Sequence, residues 1–324
     1  MQIFKNPNYD FVRWRWHALV LSTVVILAGA FIIGTRGLQM GVDFEGGTVV
    51  ILKFHEAPNV ERITGALGGD AIVQRYGPAE NNDVMIRVTR VGEELGGDIS
   101  REVGTIVASL KAANVGTFEE KPVGTQIVGP VVGEQLRRQG LLASVLAMTG
   151  ILIYIALRFR FTFAVGAVVA TLHDLLICLA FLSFFRYDMT LNVIAGLLTI
   201  TGYSVNDTIV IFDRVRENLR GMRKDDLTTV VNTAVNQTLS RTVITAGTTL
   251  FSVTALYLFG GEVLEGFAFT MLVGVIAGTY STVFIASAIA IVLQGRRPTR
   301  GRPATAAAPS PSTPSTRPSK RRAS

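Results

Sequence analysis

Residues 191–212 read LNVIAGLLTITGYSVNDTIVIF, an apolar run with one aspartate, Asp207, set inside it. A bilayer core of about 30 Å is crossed by roughly 20 helical residues at about 1.5 Å rise each. The run is therefore read as a spanning helix. Five more runs of this kind surround it, at 17–34, 140–157, 162–185, 242–259 and 266–293. Composition points the same way. Of 324 residues, 49% are hydrophobic and 17% charged, too little charge to clothe a soluble surface of this size. A formal net charge of +7 raises the question of nucleic acid. The basic residues flank the apolar runs and fill the C-terminal tail rather than forming one patch, so they read as topology signals and no nucleic-acid partner is expected.

The first run has signal-peptide features, with small residues at Ala28, Gly29 and Ala30. It continues through Phe31, Ile32 and Ile33, which favours an uncleaved anchor. Between the first two runs, residues 36–137 change to a globular pattern. Strands are expected at 47–54, 71–76 and 83–88, the last two joined by a turn containing Gly77, Pro78, Asn81 and Asn82. A short helix is expected at 58–67. Ile99, Val103, Ile106, Val107 and Leu110 fall on one helical face. With a last strand at 117–123 the order is β-α-β-β-α-β, the split βαβ or ferredoxin-like arrangement.

The expected fold is thus an α-helical membrane protein: six transmembrane helices with an exoplasmic ferredoxin-like α+β domain between helices 1 and 2. It divides into a cytoplasmic N-terminus and first helix (1–35), the exoplasmic domain (36–137), helices 2–6 (138–293) and a basic tail (294–324) expected to be disordered. Orientation follows from Arg158 and Arg160 after the second run, and Arg214, Arg216, Arg220, Arg223 and Lys224 after the fourth. The remaining two loops hold Arg186 as their one basic residue, with Glu262 and Glu265 in the last. Positive loops stay inside, which places both termini in the cytoplasm and the chain in the cytoplasmic membrane. The single cysteine, Cys178, lies in an apolar run and excludes an intramolecular disulfide. His17, His55 and His173 have no zinc-ligand spacing. Gly166, Gly196, Gly202, Gly247, Gly274 and Gly278 are expected where helices approach closely.

Several motifs resemble the SecD/SecF family of protein-export membrane proteins, within the resistance-nodulation-division superfamily, on its SecF side. They are 41–48 (GVDFEGGT), 171–174 (TLHD), 202–218 (GYSVNDTIVIFDRVREN), 240–242 (SRT), 245–250 (TAGTTL) and 257–261 (YLFGG). The likeness covers about residues 10–293, and the tail departs from it. It implies a six-span half that pairs with a separate SecD, binds the SecYEG channel, and uses the proton-motive force to complete export begun by SecA. It also implies an unfolded exported polypeptide as client, YajC and YidC as further partners, membrane lipid as surroundings, no enzymatic reaction and no cofactor beyond protons as the coupling ion.

A charge at a helix centre in the bilayer costs at least about 2.5–3.5 kcal/mol, so ionisable residues there are functional candidates. Asp174 and Asp207 are the two clear cases. Asp207 sits sixteen residues into its run, roughly 24 Å deep, level with Arg241 at the start of the fifth. Burial favours the neutral carboxyl and a nearby arginine the ionised one, opposed pulls suited to a proton carrier. The resemblance gives Asp207 and Arg241 a role in proton conduction; a static ion pair is the alternative. Asp174, beside His173, is the weaker candidate for a relay, with a hydrogen-bonded structural pairing to Asn206 or a backbone group as its alternative. Asp213 and Arg214 are expected to cap or anchor the fourth helix. Asp43, Gly46 and Gly47 lack the lysine of a phosphate loop and read as a structural junction or hinge between span and domain. Three other functions compete: half of a small-molecule or lipid exporter of the same superfamily, a passive translocon scaffold, and an intramembrane hydrolase. The exporter would predict larger outer domains, the scaffold indifference to Asp207, and the hydrolase an aspartate pair at equal depth.

Overall fold

A computed structural model describes residues 7–68, 71–77, 80–88, 99–128 and 130–295. The turn residue Pro78 and the tail beyond 295 lie outside these. Six helices among the described residues are long and apolar enough to cross a membrane: Val12–Arg36, Val132–Arg158, Phe161–Phe185, Leu191–Gly221, Leu227–Phe259 and Val263–Leu293. The elements that build them are α1 (Arg15–Arg36), α5 (Pro130–Arg158), α6 (Phe161–Phe185), α7 (Leu191–Gly221), α8 (Leu227–Phe259), α9 (Glu262–Ser281) and α10 (Ser287–Gly295). Between α9 and α10 the helix widens into a π-helical turn, Thr282–Ala286.

α6, α7 and α9 form the centre of the bundle. α1, α5 and α8 lie outside it, with Leu27, Phe31, Leu141, Leu146, Leu157, Phe251 and Leu258 exposed as lipid-facing side chains would be. One apolar cluster gathers Phe163, Phe212, Val230, Ala234 and Ala286. A second gathers Leu182, Val193, Ile200, Val253, Met271 and Val275. Between them small residues bring helices close. A Cβ on Gly274 would come 2.0 Å from Ile200 Cγ1, and one on Gly166 would come 2.8 Å from the Ala286 carbonyl. Gly196 and Gly278 also face neighbouring helices, whereas Gly202 and Gly247 face open space.

The fourth and fifth spans run further than their apolar stretches. α7 continues to Gly221 and α8 begins at Leu227, so Arg214, Arg216 and Arg220 lie on helix rather than in a loop. Hydropathy marks where a helix can meet lipid, not where its hydrogen bonding stops. The true turn is closed by Asp226, whose carboxylate accepts from the Thr229 N–H at 3.3 Å and from its hydroxyl at 2.5 Å. These bonds hold the Asp226 carboxyl below its usual range, as expected of an N-cap.

Between α1 and α5 lie a one-turn helix α2 (Val42–Glu45), strands β1 (Gly47–Lys53), β2 (Ala71–Tyr76), β3 (Asp83–Val88) and β4 (Gly124–Val128), and helices α3 (Val60–Leu67) and α4 (Ile99–Ala112). The sheet is antiparallel in the order β2-β3-β1-β4, the ferredoxin-like order. Val50, Leu52, Val84 and Ile86 point from the sheet to Ile63 of α3 and Leu110 of α4, all fully buried. The last strand is Gly124–Val128 and not 117–123. That earlier stretch touches the sheet irregularly, through a bridge from Phe118 to Phe54 and single bonds at Glu119 and Val123. Pro122 interrupts it, since a proline has no N–H to give a ladder.

Candidate functional site

Asp174 lies midway along α6 and is 1% exposed. One carboxylate oxygen, Oδ2, accepts from Ser204 Oγ of α7 at 2.5 Å and from Ser281 Oγ of α9 at 2.8 Å. The other, Oδ1, pairs with His173 Nδ1 at 2.9 Å. His173 Nε2 lies 2.9 Å from Ser22 Oγ of α1. Ser22 donates to the Tyr280 hydroxyl at 3.3 Å, and Tyr280 donates to the Ala18 carbonyl at 2.8 Å. Four helices thus meet on one polar chain, buried from Ser22 to Ser281 and half-buried at Tyr280.

Tyr280 gives its one proton to a carbonyl, and Ser22 bridges the Tyr280 hydroxyl and the His173 ring. Which ring nitrogen donates depends on the tautomer, and Ser204 and Ser281 are donors to Asp174 in either case. The helices pack closely around Asp174. A Cβ on Gly278 would meet Ser204 Cβ at 3.1 Å and Asp174 Oδ2 at 3.6 Å, so glycine lets α9 close on the carboxylate. The π turn begins directly after Ser281, and its Thr282 hydroxyl bonds Thr208 of α7 at 3.1 Å. Such turns inside helices are frequent at functional sites.

Asp207 is one turn along α7 from Ser204. It is half-buried, and its Oδ1 accepts from Thr242 Oγ1 of α8 at 2.9 Å. Arg241, next to Thr242, is exposed, and no ion pair joins it to Asp207 among the described residues. The structure therefore brings Asp207 and Arg241 into one neighbourhood through Thr242. It brings Asp174 and His173 together directly. Asn206 is exposed and has no hydrogen bond among the described residues, so Asp174 is paired by Ser204 and Ser281 instead. Asp213 and Arg214 anchor α7 to its neighbours rather than cap it. Asp213 pairs with Arg158 of α5 at 3.4 Å, and Arg214 with Glu217 and Gln237, both at 2.6 Å.

Ser22, Ser204, Tyr280, Ser281 and Thr242 were not anticipated. Hydroxyls within apolar helices usually bond their own backbone, as Thr245, Thr248 and Ser252 do here. A weak signal did exist in Ser204, which precedes Asp207 by three residues on the same helix.

At one end of the bundle, Asp43 of α2 joins domain to helix. Its Oδ2 accepts from the N–H of Leu191, the first residue of α7, at 2.9 Å, and its Oδ1 accepts from Gln126 Nε2 of β4 at 3.1 Å. Gly46 and Gly47 have φ of 72° and 123°, in the region that favours glycine. A Cβ on Gly133 of α5 would come 2.9 Å from the Gly46 nitrogen.

A six-span bundle with ionisable groups sealed at its centre, and a small α+β unit inserted after its first helix, defines a polytopic membrane protein. Comparison with known proteins makes this specific. The family described as "Protein export membrane protein SecD/SecF, C-terminal" matches residues 108–296, and the "SecD/SecF GG Motif" matches residues 31–58. The chain belongs to the SecD/SecF family. It is 42% identical over 316 residues to the protein translocase subunit SecF of Rhodothermus marinus, covering 94% of this chain and 100% of that one. It is 39% identical to the SecF of Escherichia coli O157:H7, covering 89% of each. The crystal structure of SecDF from Thermus thermophilus, a translocon-associated membrane protein, superposes with a TM-score of 0.79 at 31% identity. That match covers 90% of this chain and 39% of the SecDF chain.

Proposed function

We propose that the chain is the SecF-type subunit of a protein translocase, pairing with a separate SecD. In this reading the assembly works with the SecYEG channel and draws on the proton-motive force to complete export after SecA has acted. Its termini face the cytoplasm, the sheet domain faces outward, and protons are its coupling ion, with no cofactor and no enzymatic reaction. YajC and YidC are partners on the strength of the family alone.

The observation that carries this reading is that Asp174 of α6 is hydrogen-bonded to α7 at Ser204, one helical turn from Asp207. Asp174 also pairs with His173, and Asp207 with Thr242 of α8. A charge crossing the membrane gains about 2.3 kcal/mol per 100 mV, enough to bias helix positions when it is taken up or released inside such a network. The SecD half would complete the open side of Asp207. Thr199, Gly202 and Asn206 of α7 and Thr245, Gly247 and Thr248 of α8 are small or polar and bury little, which suits a helix partner better than lipid.

The test is export in vesicles containing SecD and SecYEG, with and without a proton-motive force. Asp207→Asn should assemble normally and lose the proton-dependent part of export. An Asp207→Asn variant that exports like wild type in both conditions would leave a passive scaffold as the better reading.

A further inference from the structure

The sheet domain is fastened to the bundle at a second place that the proton reading does not use. Arg87, on the central strand β3, points away from the α3/α4 face of the sheet and is 1% exposed. Its Nη2 donates to both carboxylate oxygens of Asp188, each at 3.0 Å, and its Nη1 donates to the Met40 carbonyl. Asp188 lies in the short connection between α6 and α7. Around this pair the chain leaving α1 runs beside that connection. The Met189 N–H donates to the Gln39 carbonyl at 2.7 Å, the Gly41 N–H to the Met189 carbonyl at 2.8 Å, and Met40 and Met189 form a parallel bridge. Gly41 is required there, because a Cβ would come 2.9 Å from the Met189 carbonyl. Two residues later Asp43 takes the first N–H of α7.

A buried arginine with one carboxylate partner is a strong fastener, since losing that partner strands an unpaired charge in the interior. The fastening is also placed where it matters. Asp188 is three residues before Leu191, and α7 then runs unbroken to Ser204 and Asp207.

We propose that Arg87 and Asp188, with the 39–41 strap and Asp43, are positioning residues that hold the sheet domain and the α7 N-terminus as one rigid body, and that this clamp stays closed while the bundle changes state. The sheet domain then moves when α7 moves, rather than swinging free on a flexible junction. What drives α7 rests on the proton reading above; the clamp itself does not.

Two experiments decide it, both on the full chain with SecD and SecYEG in vesicles, in a Cys178→Ala background. In the first, Met40→Cys with Met189→Cys is oxidised to tie the bridged pair. Export equal in the oxidised and reduced states is expected; export lost on oxidation and regained on reduction would show that the clamp must open, and would overturn the proposal. In the second, spin labels at Lys111→Cys in α4 and Leu258→Cys at the end of α8 report the distance between domain and bundle. Arg87→Ala should broaden that distance distribution and remove the proton-dependent part of export. Arg87→Asp with Asp188→Arg should restore both. Arg87→Ala with an unchanged distribution and full export would overturn it. Asp207→Asn run alongside keeps the two readings apart: it should lose export with the distribution still narrow, and if it keeps export the proton reading fails while the spin labels still judge the clamp.

Discussion

Asp174 and Asp207 are both aspartates in apolar spans, and sequence alone ranks Asp207 first. The structure gives them different surroundings. Asp174 is closed in by α6, α7 and α9, with three side-chain partners on its two oxygens and glycine at position 278 to let α9 approach. Asp207 has one side-chain partner, Thr242, and an open flank toward α8. The closed site ties three of this subunit's helices together, and the open one is joined to a single neighbouring side chain among the described residues. Two aspartates in apolar spans can thus differ in how tightly their own subunit holds them, and counting partners makes that difference visible.

The largest expected effect tests that distinction. Asp174→Ala strips partners from Ser204, Ser281 and His173 at once, and breaking a buried charged network by removing one member typically costs about 3–5 kcal/mol. Asp207→Ala strands only the Thr242 hydroxyl, a cost of about 1–3 kcal/mol at most. Thermal unfolding of the purified proteins in detergent should show a much lower midpoint for Asp174→Ala than for Asp207→Ala. Equal midpoints would erase the contrast. The glycines give a smaller effect of the same kind. Gly274→Ala must push against Ile200 and should destabilise by about 1–3 kcal/mol. Gly202→Ala, which meets no neighbouring atom, should gain a few tenths up to about 1 kcal/mol as a helix-interior glycine is replaced. If Gly202→Ala destabilises as much as Gly274→Ala in the assembled complex, then a partner helix covers Gly202.

Much of this was legible in the sequence, for identifiable reasons. Spans are legible because lipid imposes a length on apolar runs, and the sheet domain because a run rich in β-branched residues, such as Thr48 to Ile51, is a local strand signal. The ends of α7 and α8 were not legible, because Arg214 and Asn232 are as much at home on a helix in water as in a loop. β4 was displaced by a single proline. The network around Asp174 was hidden for a different cause. Ser22, Ser204 and Ser281 come from helices distant in sequence, and a serine in an apolar helix carries no mark of which neighbour it faces. Arg87 was equally silent: within its strand it is one charged residue among alternating ones, and only the fold brings it against Asp188, 101 residues away.

The smallest expected effect concerns that pair and depends on pH. Burial raises the Asp188 carboxyl above its usual value; the Arg87 charge and hydrogen bond pull it down, and Glu45 adds a smaller upward push. The net shift is upward, so desolvation outweighs the arginine. The sign of the linkage follows. The docked state binds a proton on Asp188 more tightly than a state with this connection in water, so docking gains as pH falls and loses that gain as pH rises through the docked-state value. Acidification should therefore leave the clamp closed or tighten it, although intuition about an ion pair expects the reverse. A protonated Asp188 still accepts from Arg87 through its carbonyl oxygen. Replacing Arg87 with Met removes the downward pull and should move the Asp188 titration higher still. Difference infrared spectroscopy of the protonated-carboxyl band, with Asp188→Asn as the reference, reads both shifts. A titration of Asp188 below the usual carboxylate value would mean the arginine wins, and the clamp would then weaken on acidification instead of holding.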